Sequence, residues 1–105
     1  MTAVTRRQKL EAMLAATPDD QMLQYMLAME LDKESEHDAS LELFRGLMSD
    51  TPPYVPAFLM AGQLLARLSR IEAARATYLT GIREAQRQGN DHAAGEMTGF
   101  LQSLE

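Results

Sequence analysis

A stretch of 34 residues occurs twice in this chain, once after Pro18 and again after Pro52. Size class is kept at most of the paired positions, although residue identity is not. The pairs are Leu27 with Ala61, Ala28 with Gly62, Leu31 with Leu65, Ser40 with Ala74, Phe44 with Tyr78 and Leu47 with Gly81. A period of this length, with two helices in each period, is typical of stacked helical hairpins.

Helix start and stop signals recur along the whole chain, and no alternating pattern typical of strands is present. Thr5 and Gln8 have the spacing of a capping box at the first helix. Thr17 is predicted to cap the second helix, with Pro18 at its first position, and Gly89 to close the fifth. The predicted helices cover about residues 5–16, 18–32, 36–48, a segment with Pro56 in its first turn that ends near Arg67, 70–88 and 90–104.

The composition excludes several classes of protein. Hydrophobic residues make up 46% of the chain, as in an ordinary globular domain, and there is no cysteine. Disulfides, thiol catalysis and thiolate metal sites are therefore excluded. No apolar run approaches the roughly 18 residues that a membrane span needs, and the first residues do not resemble a signal peptide. We expect one domain in a soluble, cytoplasmic protein with no membrane partner.

The net charge of −5 comes mainly from acidic residues between Glu30 and Glu42. Binding to nucleic acids in general depends on the neutralisation of phosphates, which an acidic chain does not favour. No aromatic residue that is predicted to be exposed lies among the arginines of the second half of the chain. The sequence therefore predicts no nucleic-acid partner.

No constellation of residues predicts catalysis or a cofactor. His37 and His92 each lie beside an aspartate in the sequence, but adjacent residues do not share a helix face. No segment is rich enough in glycine to form a phosphate loop, and the acids cluster in a turn instead of an apolar pocket. We predict that the chain is not an enzyme and binds no metal or cofactor.

The repeated positions resemble the tetratricopeptide repeat family, in particular its small stand-alone bacterial-type members. The resemblance covers about residues 18–86, and Gln24 and Ser40 depart from it where an aromatic residue and alanine are usual. Tyr25 is expected to supply the missing ring. The matching residues are Leu27, Ala28, Leu31, Phe44 and Pro52 in the first repeat, and Phe58, Ala61, Gly62, Leu65, Ala74, Tyr78 and Gly81 in the second.

The resemblance implies an all-α helical-hairpin solenoid of about six antiparallel helices. Two full repeats, residues 18–51 and 52–88, would be flanked by capping helices at residues 5–16 and 90–104. Each capping helix would be half of a repeat and would cover the apolar face that a repeat cannot cover by itself. All four segments together form the single domain, residues 1–105.

In this family the first helix of each pair lines a concave groove that binds proteins or peptides. One subgroup binds terminal carboxylates there with Lys, Asn and Arg side chains, which are absent from the corresponding positions of this chain. The groove is instead rich in methionine, a flexible side chain that suits varied apolar partners. The predicted protein-binding residues are Met22, Tyr25, Met26, Met29, Leu59, Met60, Gln63 and Arg67, beside Asp32, Lys33 and Ala66.

Three interpretations of this methionine-rich face stay open at the level of sequence. It binds an apolar or amphipathic segment of another protein, it is covered within the chain by packing or by the last helix, or it forms the seam of a homodimer. A helix that is apolar nearly all round is usually buried, so packing is a serious alternative. Replacing Met26 and Met60 with Glu would separate the three.

Overall fold

The computed structural model describes residues 3–104 and shows six α-helices with no strand in that range. The predicted all-α helical-hairpin fold is confirmed. The helices are α1 (Arg6–Ala16), α2 (Gln21–Lys33), α3 (His37–Met48), α4 (Val55–Arg67), α5 (Ile71–Arg87) and α6 (Asp91–Gln102).

The helices stack in chain order, and the stack is curved. Each helix packs against the next, and α4 also contacts both α2 and α6. Within residues 3–104, by contrast, α3 contacts neither α1 nor α5. The first helices of the pairs, α2, α4 and α6, therefore lie on the inner, concave side of an array that measures 49 × 28 × 19 Å.

Small side chains allow the helices of each pair to approach closely. Ala61 and Ala74 are fully buried, and a Cβ atom added to Gly62 would lie only 2.6 Å from Cζ of the Tyr78 ring. In the first repeat Ser40 occupies the position of Ala74, and its buried hydroxyl donates a 2.6 Å hydrogen bond to the carbonyl oxygen of Ala28. Serine thus fits where alanine is usual because a carbonyl oxygen of the facing helix accepts a hydrogen bond from its hydroxyl.

Two clusters of buried residues form the core. The larger runs through α2 to α6 and contains the aromatic residues Phe44, Phe58 and Tyr78. The smaller consists of Leu10, Leu27 and Leu31 and joins α1 to α2. The first helix therefore covers part of the apolar surface of α2.

At the ends of the first two helices, one prediction is confirmed and one is wrong. The hydroxyl of Thr5 accepts from the amide of Gln8, and the Gln8 side chain accepts from the amide of Thr5, which completes the predicted capping box. Thr17, however, ends α1, and its hydroxyl donates to the carbonyl of Met13 at 3.1 Å. Asp20 caps α2 instead, because its carboxylate accepts from the amide of Leu23 and Asp is a stronger N-cap than Thr. Pro18 accordingly lies in the turn before the helix.

Three helices end in the same left-handed turn. Gly89, as predicted, has a positive φ of 77°, and Ser35 and Ser69 have φ of 62°. In each case the amide of the following residue donates to a carbonyl in the last turn of the helix, at 2.7 Å from Asn90 to Ala85. The two serines thus adopt a backbone conformation that is costly for a residue with a Cβ atom and that glycine adopts readily.

We expect Ser69→Gly to raise the free energy of unfolding by about 0.5–1 kcal/mol, because glycine has no Cβ to clash in the left-handed region. The measurement is chemical denaturation followed by circular dichroism. Ser49→Gly is the matched control, since Ser49 also ends a helix but has a φ of −96°. A gain in the control equal to the gain at Ser69 would contradict the explanation.

Candidate functional site

The concave face of α2 is apolar, and most of it is only partly open to solvent. Met22, near the start of the helix, is 63% exposed. Tyr25 and Met29 are half-buried against the larger core cluster, and Met26 is half-buried against the smaller one. Three of the four predicted residues on this helix therefore contribute both to packing and to the surface.

Tyr25 supplies the aromatic ring that Gln24 lacks. Its ring packs edge-on against Phe44, with centroids 6.1 Å apart, and lies 5.6 Å from the ring of Tyr54. Burial, and to a lesser degree the neighbouring Tyr54, raises the pKa of Tyr25 above its ordinary value. Gln24 instead donates from its amide to the carbonyl of Pro18 at 2.7 Å. The prediction that Tyr25 supplies the missing ring is thus confirmed by its packing against neighbouring aromatic rings.

The predicted residues on α4 divide into two groups. Leu59 and Met60 are half-buried and pack against the larger core cluster. Gln63 and Arg67, one and two turns further on, line a cavity that α4 shares with α5 and α6. The C-terminal helix therefore does not seal the concave face; it forms one wall of an opening beside α4.

Two separate cavities lie along this face. One, of about 340 Å³, is lined by α2 and the start of α1, and the other, of about 320 Å³, by α4, α5 and α6. The structure brings Met26 and Met29 together at the first and Gln63 and Arg67 together at the second. The residues around the first are Arg6, Met26, Met29, Glu30 and Lys33; those around the second are Gln63, Ala66, Arg67, Tyr78, Phe100, Ser103 and Leu104.

An ion pair joins the helices that line the two cavities. Both guanidinium Nη atoms of Arg67 on α4 donate to the carboxylate of Asp32 on α2, one of them at 3.3 Å. Nδ1 of His37 lies 3.4 Å from the same carboxylate and, among residues 3–104, has no hydrogen-bond partner although it is enclosed. Asp32, which the sequence analysis placed beside the groove residues, is half-buried. In the sequence, Asp32 and Arg67 are separated by one residue more than the repeat period. This spacing is the signal that they lie on facing helices.

Sequence reasoning missed the contribution of α5 and α6 to the second cavity. The Phe100 ring is stacked on that of Tyr78, with centroids 6.2 Å apart and planes 15° from parallel. Tyr78 is 1% exposed, and its burial raises the pKa of the hydroxyl. The sequence predicted the last helix only as a capping helix and as one possible cover of the methionine-rich face, and it did not single out Phe100.

Residues 3–104 contain neither a cluster suited to a metal ion nor a helix suited to a membrane. No group of three His, Asp or Glu side chains between residues 3 and 104 has the arrangement needed to bind a metal ion. None of the helices in the same range combines the length and the apolar character required to span a bilayer.

Two solution structures are among the known proteins that share this fold. A tetratricopeptide repeat domain protein from Salinibacter ruber is 32% identical, with a TM-score of 0.79, and the match covers 84% of this chain and 89% of that one. A protein from Bordetella parapertussis is 29% identical, with a TM-score of 0.80 over 99% of this chain and 89% of the other. No protein-family profile and no curated protein matches the sequence. Identity at this level over most of both chains shows that the chain belongs to the tetratricopeptide repeat family.

Proposed function

We propose that this chain is a non-catalytic protein-interaction module that binds an apolar or amphipathic segment of another protein along the concave face of α2, α4 and α6. The observation that carries the proposal is the pair of cavities on that face, beside half-buried methionines. A side chain that is half-buried in the free protein can be covered completely by a partner with little loss of conformational freedom.

The two cavities along this face suit a partner that is a single helix or an extended strand. An amphipathic helix that lies in a groove contacts it through residues at i, i+3, i+4 and i+7. The two cavities, of about 320 and 340 Å³, would receive apolar side chains of such a segment. The exposed Met22 would border the same path at the start of α2.

A photo-crosslinking amino acid placed at Met22 tests the proposal in a native lysate. We expect it to join the chain to a discrete partner through one segment, which mass spectrometry would locate. The same group at Leu79, which is 44% exposed on α5, is the control, because α5 belongs to the opposite side of the array. Equal crosslinking from both positions would contradict the proposal.

Met26→Glu and Met60→Glu together are expected to weaken capture of the crosslinked partner at least tenfold, because a partner would then have to desolvate two carboxylates. Both side chains are half-buried, so the circular dichroism spectrum and melting midpoint must be measured alongside. Met22→Glu provides a second variant, whose exposed position carries little risk for folding.

A homodimer through the same face is the alternative, and it predicts a different result. The crosslink from Met22 would then join two copies of this chain, and light scattering at micromolar concentration would give twice the monomer mass. Loss of folding in the double Glu variant, with no crosslink from Met22 in the unaltered chain, would indicate that the face serves internal packing only.

A further inference from the structure

The cavity between α4, α5 and α6 combines apolar walls with hydrogen-bond donors. Ala66, Phe100 and Leu104 form its apolar part. Gln63 and Arg67 border it from α4, and the volume of about 320 Å³ is sufficient for one large side chain. Such a combination is typical of a site that recognises a specific group.

Tyr78 is the feature of this cavity that packing alone does not explain. The residue is 1% exposed and lines the cavity, yet no group among residues 3–104 forms a hydrogen bond with its hydroxyl. In that range His37 Nδ1 is the only enclosed side-chain nitrogen or oxygen without a partner, so the Tyr78 oxygen reaches the open space of the cavity. The ring of Tyr78 is enclosed, whereas its hydroxyl oxygen is open to water or to a ligand in the cavity.

The charge of the lining indicates which group would satisfy these donors. Among the lining residues Arg67 is the one with a charged side chain, and its guanidinium has five N–H donors. Two of its nitrogens donate to Asp32, which leaves further donors for a second acceptor. A tyrosine hydroxyl is protonated at neutral pH and can donate as well, and burial raises the pKa of Tyr78 still further.

We propose that this cavity receives a carboxylate on an apolar stem, supplied by an acidic side chain of the bound partner segment. The carboxylate accepts from Tyr78 and Arg67, while the stem and a neighbouring apolar residue of the partner pack against Phe100 and Leu104. This inference rests on the proposed function, since it identifies the anchor of the segment that the concave face binds.

Titration with 3-phenylpropionate, followed by ¹⁵N amide shifts, tests the chemistry without a partner protein. We expect saturable shifts confined to the residues around the cavity, with a dissociation constant in the millimolar range. The neutral 3-phenylpropanamide, which has the same ring and stem, should bind about tenfold more weakly, because hydrogen bonds to a charged group are the stronger ones.

Three variants attribute the binding to particular atoms. Tyr78→Phe should weaken 3-phenylpropionate about tenfold while its melting midpoint stays equal to or above that of the unaltered chain. Arg67→Gln should weaken the acid and leave the amide unchanged, and Asp32→Asn should tighten the acid several-fold because it removes a competing carboxylate. Arg83→Gln, an exposed change elsewhere on α5, is the control and should alter neither.

Equal affinity for the acid and the amide, or no change in Tyr78→Phe, would overturn the anion site. A lower melting midpoint of Tyr78→Phe would show that the hydroxyl stabilises the fold and would equally overturn it. These results would leave the proposed function standing, because the crosslink from Met22 tests that separately. Conversely, a carboxylate-selective site with no crosslinked partner would refute the proposed function and place the anion on a free ligand.

Discussion

Phe44→Ala is expected to lower the free energy of unfolding by about 3–5 kcal/mol. Phe44 is 1% exposed in the larger core cluster, and its ring also contacts the ring of Tyr25. Removing the ring leaves a cavity that neighbouring helices cannot close without losing their own contacts. Since small domains are stable by about 5–15 kcal/mol in total, the variant should lose a large fraction of its stability.

Urea denaturation followed by far-ultraviolet circular dichroism measures this effect. Phe44→Leu keeps most of the volume and should lose less than about 1.5 kcal/mol. Phe100→Ala removes the same ring from a site that is 38% exposed and should cost clearly less than Phe44→Ala. If the two alanine variants were equally unstable, Phe44 would not be the centre of the core.

The sequence predicted the architecture because the period of 34 residues constrains every helix at once. Small residues such as Gly62 must lie where helices cross, and the structure places them there. The helix ends were less predictable, since Thr17 and Asp20 are both acceptable N-caps and only their competition decides which one caps α2. Asp20 prevails because its carboxylate reaches the amide of Leu23.

The concave face was predictable as a set of positions but not as a shape. The period identifies Met26 and Met60 as equivalent, yet one packs against the smaller core cluster and the other against the larger. The second cavity depends on how α6 lies beside α4. Because α4 begins at Val55 and α6 at Asp91, α6 begins two residues later than the period of 34 would place it. The contacts of Phe100 with Tyr78 could therefore not be read from the period.

Gly62→Ala is expected to lower the free energy of unfolding by about 1–3 kcal/mol, although alanine is the better helix former. The added methyl carbon would lie 2.6 Å from Cζ and 2.7 Å from Cδ1 of Tyr78, far inside van der Waals contact. The ring cannot move aside, because it is 1% exposed and stacked on Phe100. The helices α4 and α5 must separate, and both lose packing.

Gly46→Ala should have the opposite sign, and this contrast makes the experiment decisive. Gly46 lies within α3, and nothing comes within 4 Å of the Cβ it would gain, so the change should stabilise the fold by about 0.5–1 kcal/mol. A loss at both glycines would mean that backbone strain, and not a helix crossing, explains the result at Gly62.

The double variant Gly62→Ala with Tyr78→Leu tests the cause directly. Tyr78→Leu alone should destabilise, because it removes part of a buried ring. It also removes the atoms with which the new methyl group collides, so the combined loss should be smaller than the sum of the two single losses by at least about 1 kcal/mol. Additive losses would show that the methyl group does not meet the Tyr78 ring, and the close approach of α4 and α5 at Gly62 would then need another explanation.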